Sequence, residues 1–270
     1  MKSVLLMGYG QLLQGVSPLL DQTNLDWLGI SRSQQHPRLL NFDLRQPWPQ
    51  RIEASIALIT ISAYGRSEQE YRASYLACAQ GIAQAIKQGR LQAKQLIWVS
   101  STSVWGQTGL VNEEVEALPE STNSKILLQA EQCLQQAHQQ VCIVRFAGLY
   151  GGSDWLIRRW QQGLLALDQH SHRMHREDAS ALLFWLSQQW LDGHDLPRLL
   201  IGYDGRATLG SELDQYFSQQ LGSPQITNRP SGKASKIINS SKLQDLGFRC
   251  QYADFRSGYQ GIIQQHKSND

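Results

Sequence analysis

Four hydroxyl side chains stand in a row at Ser100, Ser101, Thr102 and Ser103. A hydroxyl can polarise a reacting carbonyl or alcohol oxygen, and with a base beside it can relay a proton. The residues before the row, Gln95-Leu-Ile-Trp-Val99, read as a buried strand, and Val104-Trp105-Gly106 follow it. Hydroxyls at the carboxyl end of such a strand sit where open α/β sheets bind ligands. A second chemical signal lies near the N-terminus. The apolar run Val4–Met7 ends in Gly8-Tyr9-Gly10, and a helical pattern follows from about Gln11 to Leu20. Glycines there close a tight turn and let the backbone approach a pyrophosphate at the helix N-terminus. The third glycine of the dinucleotide fingerprint would fall at position 13, which is Leu13; Gly15 comes two residues later. A lone GxG also serves as a plain turn. Its place at the first strand of an alternating series favours a nucleotide.

The next strand end bears on which nucleotide. An NAD-selective site places Asp or Glu there to hold the ribose 2′-hydroxyl. This chain has Ser31-Arg32-Ser33. An arginine flanked by hydroxyls pairs with a 2′-phosphate, so NADP is expected over NAD; the alternative is a solvated surface arginine. Asp43, after the third predicted strand, either accepts from the adenine amino group or shapes a turn. The expected cofactor contacts are Gly8, Gly10, Gln11, Leu12, Ser31, Arg32, Asp43 and Ser62.

These residues need a scaffold that brings strand ends together. Apolar runs at about 27–30, 39–42, 55–61, 94–100 and 141–146 alternate with helical patterns at about 68–87 and 122–138. That alternation predicts an α/β fold: a Rossmann-like doubly wound parallel sheet with helices on both faces. Its 270 residues suffice for one large domain and a smaller one. The expected division is a nucleotide-binding domain at 1–151 plus about 175–204. A small substrate-side subdomain then takes about 152–174 plus 205–270. With 25 basic and 23 acidic residues and no basic cluster, no nucleic-acid or membrane-surface partner is expected. No apolar run is long enough to span a bilayer. The N-terminus lacks a small-residue cleavage site, which argues against a signal peptide. Cys78, Cys133, Cys142 and Cys250 are scattered without CxxC spacing, as in a reduced cytoplasmic protein.

Several segments together resemble the extended short-chain dehydrogenase/reductases, the NAD-dependent epimerase/dehydratase-like family. Val99-Ser-Ser-Thr-Ser-Val-Trp-Gly106 is similar to that family's serine strand, and Arg145-Phe-Ala-Gly-Leu-Tyr-Gly151 to its sixth strand. Arg173-Met-His-Arg-Glu-Asp178 resembles its His-x-x-Asp segment. Lys236–Leu243, Leu246-Gly-Phe248 and the spacing of Tyr252, Phe255, Gly258 and Ile262 also fit. The resemblance covers nearly the whole chain. It implies a serine that polarises the reacting oxygen, a tyrosine base and a lysine four residues later. Ser101 matches the serine. The tyrosine and lysine are missing: anchored on Ala130-Glu131, their positions are Asn123 and Leu127. Anchored instead on Lys125, the tyrosine position is Ser121. Neither a carboxamide nor a serine hydroxyl replaces a tyrosinate as a base near pH 7.

On the substrate side the expected contacts are Ser103, Tyr150, Arg158 and His175. Each has another reading. Ser103 caps backbone groups. Tyr150 closes a turn beside Gly148 and Gly151. Arg158 and Arg159 bind a diphosphate or carboxylate, or form the solvated face of a helix burying Leu156 and Trp160. In the family, His175 and Asp178 mainly join the subdomain back to the sheet. Glu113 and Glu114 reach a pocket mouth or lie on a surface loop. No metal is expected at His170, His172 and His175, because no carboxylate or Cys stands at ligand spacing with them. The expected ligand is a small molecule, a sugar nucleotide by the resemblance. Relatives pair through the two long helices, so the chain is expected to be a monomer or homodimer. Three functions compete: an NADP-dependent epimerase, dehydratase or oxidoreductase; a non-catalytic dinucleotide-binding sensor or scaffold; and a Rossmann domain that has lost its cofactor through Leu13.

Overall fold

The computed structural model describes residues 2–222 and 235–269. Part of the 205–270 segment, 223–234, lies outside the described residues. The chain divides into two compact units. Unit 1 comprises residues 1–106, 116–145 and 179–200; unit 2 comprises 107–115, 146–178 and 201–270. Unit 2 thus takes in 107–115 and begins its second segment at Phe146, within the sixth predicted strand.

The elements run β1 (Ser3–Met7), α1 (Gln11–Asp21), β2 (Asp26–Ser31), β3 (Leu39–Asn41), β4 (Ile52–Ile59) and α2 (Glu68–Tyr71). A π-helical stretch, Arg72–Leu76, leads into α3 (Ala77–Lys87). Then come β5 (Leu91–Ser101), a 3₁₀ turn (Thr102–Val104), β6 (Gly109–Val111), α4 (Thr122–Ala137), β7 (Val141–Phe146) and β8 (Gly148–Tyr150). The chain continues through α5 (Trp155–Gln161), β9 (His170–His175), α6 (Arg176–Leu191), β10 (Leu199–Gly202), β11 (Ala207–Leu209) and α7 (Gly210–Leu221). It ends with β12 (Lys236–Ile238), α8 (Lys242–Asp245) and α9 (Phe255–Asn269).

Seven strands form the central sheet in the order β10-β7-β5-β4-β1-β2-β3. β1 pairs in parallel with both β2 and β4, and β4 with β5. Parallel strands covered on both faces need continuous apolar sequence rather than alternation. Val4–Met7, Ile56–Ile59 and Leu96–Trp98 supply it, each residue at most 1% exposed. Strand order reverses between β1 and β4, and there an open α/β sheet forms its binding crevice. Below it, one apolar cluster joins Leu5, Met7, Ala57, Ile59, Leu96 and Trp98 to Ala79 and Ile82 of α3 and Ala130 and Leu134 of α4.

Unit 2 has its own core of Tyr150, Leu156, Trp160, Leu213, Phe217, Phe255 and Tyr259. β9 pairs with β8 in parallel and with β11 antiparallel, and β12 pairs with β6. Two carboxylates, Asp178 buried and Glu113 half-buried, tie its segments. Asp178 accepts from the Gln251 and Tyr252 backbone N–H groups at 2.7 and 3.0 Å. Glu113 accepts from Ser240 Oγ at 2.8 and 2.9 Å and from the Ile201 N–H at 3.1 Å. These short strands carry too few residues for a readable period. Glu113, which the sequence left between a pocket mouth and a surface loop, is a fastening within unit 2.

Candidate functional site

The site begins at the turn after β1. Gly8 has φ +75°, and a Cβ there would lie 2.1 Å from the Thr60 carbonyl oxygen. Only glycine fits both the backbone conformation and this approach of β1 to β4. Gly8 is held by its N–H to the Ile30 carbonyl at 3.1 Å, and its own carbonyl accepts from Thr60 Oγ1 at 3.0 Å. Gly10 is the N-cap of α1 and offers no side-chain cap, and the first turn carries no acidic residue. Helix geometry leaves the N–H groups of Gln11, Leu12 and Leu13 without intrahelical partners. An anion could take them. Leu13 itself is fully buried. The close helix approach comes instead at Gly15, where a Cβ would stand 2.5 Å from Ser180 Oγ of α6. Ser180 Oγ in turn donates to the Leu12 carbonyl at 3.0 Å.

At the end of β2, Ser31 Oγ accepts from the Gln34 N–H at 3.1 Å, shaping the turn that sets Arg32 outward. Arg32 Nη2 donates to Tyr64 Oη at 2.8 Å, and its guanidinium lies 5.2 Å from the Tyr64 ring centroid. Tyr64 sits in the loop after β4 and is 85% exposed. Sequence reading missed it, although an aromatic residue two positions past Ser62 in a strand-end loop was visible. Ser62 is exposed in that same loop. Asp43 is engaged by Arg45, whose Nε reaches both carboxylate oxygens at 2.8 and 2.9 Å. That hydrogen bonding holds the Asp43 carboxyl below its usual range.

The four hydroxyls after β5 separate into two pairs. Ser100 and Thr102 are buried, while Ser101 is half-buried and Ser103 exposed. Ser101 Oγ accepts from the Ser103 N–H at 3.1 Å, capping the 3₁₀ turn and leaving its own proton for another acceptor. Ser100 Oγ donates to Glu131 Oε1 at 2.5 Å. Glu131 is 2% exposed and receives a fork from Arg145, at 3.1 Å from Nε and 2.6 Å from Nη2. The Arg145 guanidinium lies 4.3 Å from the Trp105 ring centroid. A fully desolvated carboxylate is tolerable only with such partners. Glu131 was quoted from sequence as a register mark; its burial under the serine row was not foreseen.

One and two helical turns before Glu131, at i−4 and i−8, stand Leu127 and Asn123. Leu127 is 4% exposed. Asn123 Nδ2 donates to the Arg66 carbonyl oxygen at 2.7 Å. Lys125 is exposed, off the face that carries Glu131.

The expected substrate residues of unit 2 are differently disposed. Tyr150 is 6% exposed, stacked on Tyr259 at 4.8 Å and edge-on to His175 at 5.2 Å. Burial raises its pKa well above the ordinary phenol range. His175 Nδ1 accepts from the Glu177 N–H at 3.3 Å and its ring packs 3.8 Å from Tyr252. Burial lowers its pKa. Arg158 is exposed and pairs with Asp154 one turn earlier at 2.9 Å, while Leu156 and Trp160 are buried. His172 Nε2 accepts from the Ile238 N–H at 3.0 Å. Burial lowers its pKa to about 4. Among the described residues no three His, Cys, Asp or Glu side chains group as metal ligands.

No protein-family model matches the chain. No curated protein matches it in sequence. Solved structures do match. A candidate NAD-dependent epimerase/dehydratase from Methylobacillus flagellatus superposes with a TM-score of 0.80 at 24% identity, over 98% of this chain and 99% of that one. The human epimerase family protein SDR39U1, solved with NADPH, gives 0.77 at 16% identity, over 97% and 99%. MoeE5, solved with UDP-glucose and NAD, gives 0.75 at 18%, over 99% and 100%. The chain therefore has the Rossmann-like α/β fold of the epimerase/dehydratase structures. Among the described residues no helix is long and apolar enough to cross a membrane.

Proposed function

We propose that the chain is an NADP-binding protein of the extended short-chain dehydrogenase/reductase type, acting in the cytoplasm on a small sugar-nucleotide-like substrate. The observation that carries this reading is the Gly8 cradle at the point where strand order reverses, with Arg32 at the end of the neighbouring β2. A pyrophosphate would meet the N–H groups of Gln11 and Leu12. Arg32 would meet the 2′-phosphate, with Ser31 fixing its turn and Ser62 and Asp43 nearby in sequence to the same strand ends. A bound nicotinamide would supply hydride chemistry. The solved neighbours support the ligand class, one carrying NADPH and another NAD with UDP-glucose.

In this reading Ser101 polarises the reacting oxygen with the proton its Oγ retains. Asn123 and Leu127 stand at the tyrosine and lysine positions, so proton removal falls to a group other than a phenol. Ser103 and Arg158 are the exposed members of the expected substrate set. Tyr150 and His175 serve by packing. A second reading, a non-catalytic NADP-binding sensor or scaffold, is favoured by one observation. Leu127 is fully committed to packing and Asn123 is hydrogen-bonded to a backbone carbonyl. The cofactor assignment is tested by titrating NADPH and NADH and following nicotinamide fluorescence. Turnover is then sought with nucleoside-diphosphate sugars, by absorbance of the reduced nicotinamide and by product analysis. Binding without turnover favours the sensor.

A further inference from the structure

The loop between β4 and α2 is fastened along its length. Thr60 Oγ1 holds its start to the Gly8 carbonyl. Its end is a capping box, in which Ser67 Oγ accepts from the Glu70 N–H and the Glu70 carboxylate accepts from the Ser67 N–H at 3.0 Å. Gly65 lies against that carboxylate, where a Cβ would stand 2.4 Å from either oxygen. Between these ties projects Tyr64, 85% exposed, with the Arg32 guanidinium 5.2 Å from its ring centroid. Its position depends on the Arg32 hydrogen bond and on the backbone either side.

That backbone is fastened from outside at Ala63, by a hydrogen bond with the Tyr75 side chain, and on the far side of Tyr64 at Arg66, whose carbonyl accepts from Asn123 Nδ2 at 2.7 Å. Asn123 stands in the first turn of α4, the helix whose Glu131 is locked to Ser100 and Arg145. A firmly held helix therefore pins the loop. We propose that Asn123 is a positioning residue for the cofactor: its carboxamide holds residues 61–67 in the form that presents Arg32 and Tyr64 together to the phosphorylated ribose. The position that the resemblance assigns to a base has then passed from proton chemistry to cofactor selection. This inference rests on the NADP reading above.

Asn123→Asp tests it. Aspartate keeps the shape, cannot donate, and sets a negative oxygen against the Arg66 carbonyl. An acidic residue in a first helical turn is favourable, so the variant is expected to fold. Two measurements are made on the whole chain: tryptic cleavage after Arg66, and the affinities for NADPH and NADH. Faster cleavage is expected, with NADPH binding weakened roughly tenfold for a lost hydrogen bond plus repulsion. NADH should weaken less, so the preference narrows. Unchanged cleavage, or faster cleavage with an unchanged NADPH-to-NADH ratio, overturns the positioning role. Wild-type protein that binds neither dinucleotide overturns the cofactor reading, and this inference with it. Wild-type binding matched by equal binding in the variant overturns this inference alone.

Discussion

Ser101 and Asn123 carry different parts of the account, and each was legible to a different degree. Ser101 could be read from its strand and its neighbours Trp105 and Gly106. Asn123 could be placed by register, but its Arg66 partner lies 57 residues away, and no local pattern encodes such a pairing. Arg32 could be read from its place at a strand end, but not the Tyr64 hydroxyl and ring that it meets. Arg32→Ala should weaken NADPH about tenfold or more, as expected for a lost charge-assisted hydrogen bond, and NADH far less. Equal losses in fluorescence titrations would contradict the 2′-phosphate role. His172 gives a pH prediction. Its pKa falls from 6.5 to about 4 in the fold, because burial disfavours the imidazolium. Between those values the unfolded chain binds the extra proton, so His172 makes stability fall as pH drops from about 6.5 to about 4. Asp204 acts oppositely, its pKa raised by burial from 3.8 to about 6. It favours the fold at low pH, and that contribution is lost as pH rises through about 6. His172→Gln should therefore flatten the acid side of a stability–pH curve, and NMR titration should find the His172 ring neutral at pH 5. A protonated ring at pH 5 would refute the assignment.

At the scale of elements, the strand and helix order of unit 1 was legible because long buried runs and helical periods are strong signals. The boundaries were less so. β5 starts at Leu91, earlier than its apolar run, and a π-helical stretch interrupts the helix read over 68–87. Gly15, two residues past the third fingerprint position, is where α1 packs closely on α6. Gly→Ala inside a helix ordinarily stabilises by about 1 kcal/mol. Here the new Cβ meets Ser180 Oγ at 2.5 Å and Cβ at 2.9 Å, and overpacking costs about 1–3 kcal/mol. Gly15→Ala should thus lower the melting temperature, and adding Ser180→Gly should restore it. A more stable single variant would show that α1 and α6 yield freely. The Glu131–Arg145 pair is the other element-scale lock. Glu131→Gln leaves a buried guanidinium uncompensated, at a cost of about 3–5 kcal/mol by denaturant unfolding. Replacing both residues by apolar ones of similar size should cost less, and an equal or greater loss would contradict the pairing.

For the whole molecule, the doubly wound sheet followed from alternation of strand and helix, and the reversal of strand order put the Gly8 turn beside Thr60. Unit 2 was harder to read. Its strands span three to six residues, and Glu113 and Asp178 tie segments distant in sequence. Tyr150 and His175 are aromatic and polar enough to suggest a pocket, yet their surroundings make them core. Such burial is a property of the assembled chain, beyond the reach of spacing. In the proposed reading the Gly8 turn serves as the dinucleotide cradle, and Asn123 and Leu127 stand where the resemblance places the proton-transfer pair. The most direct test is a titration of the purified chain with NADPH and NADH. Saturable binding of both, with NADPH the tighter, is the predicted result. Absence of binding by either dinucleotide would contradict it.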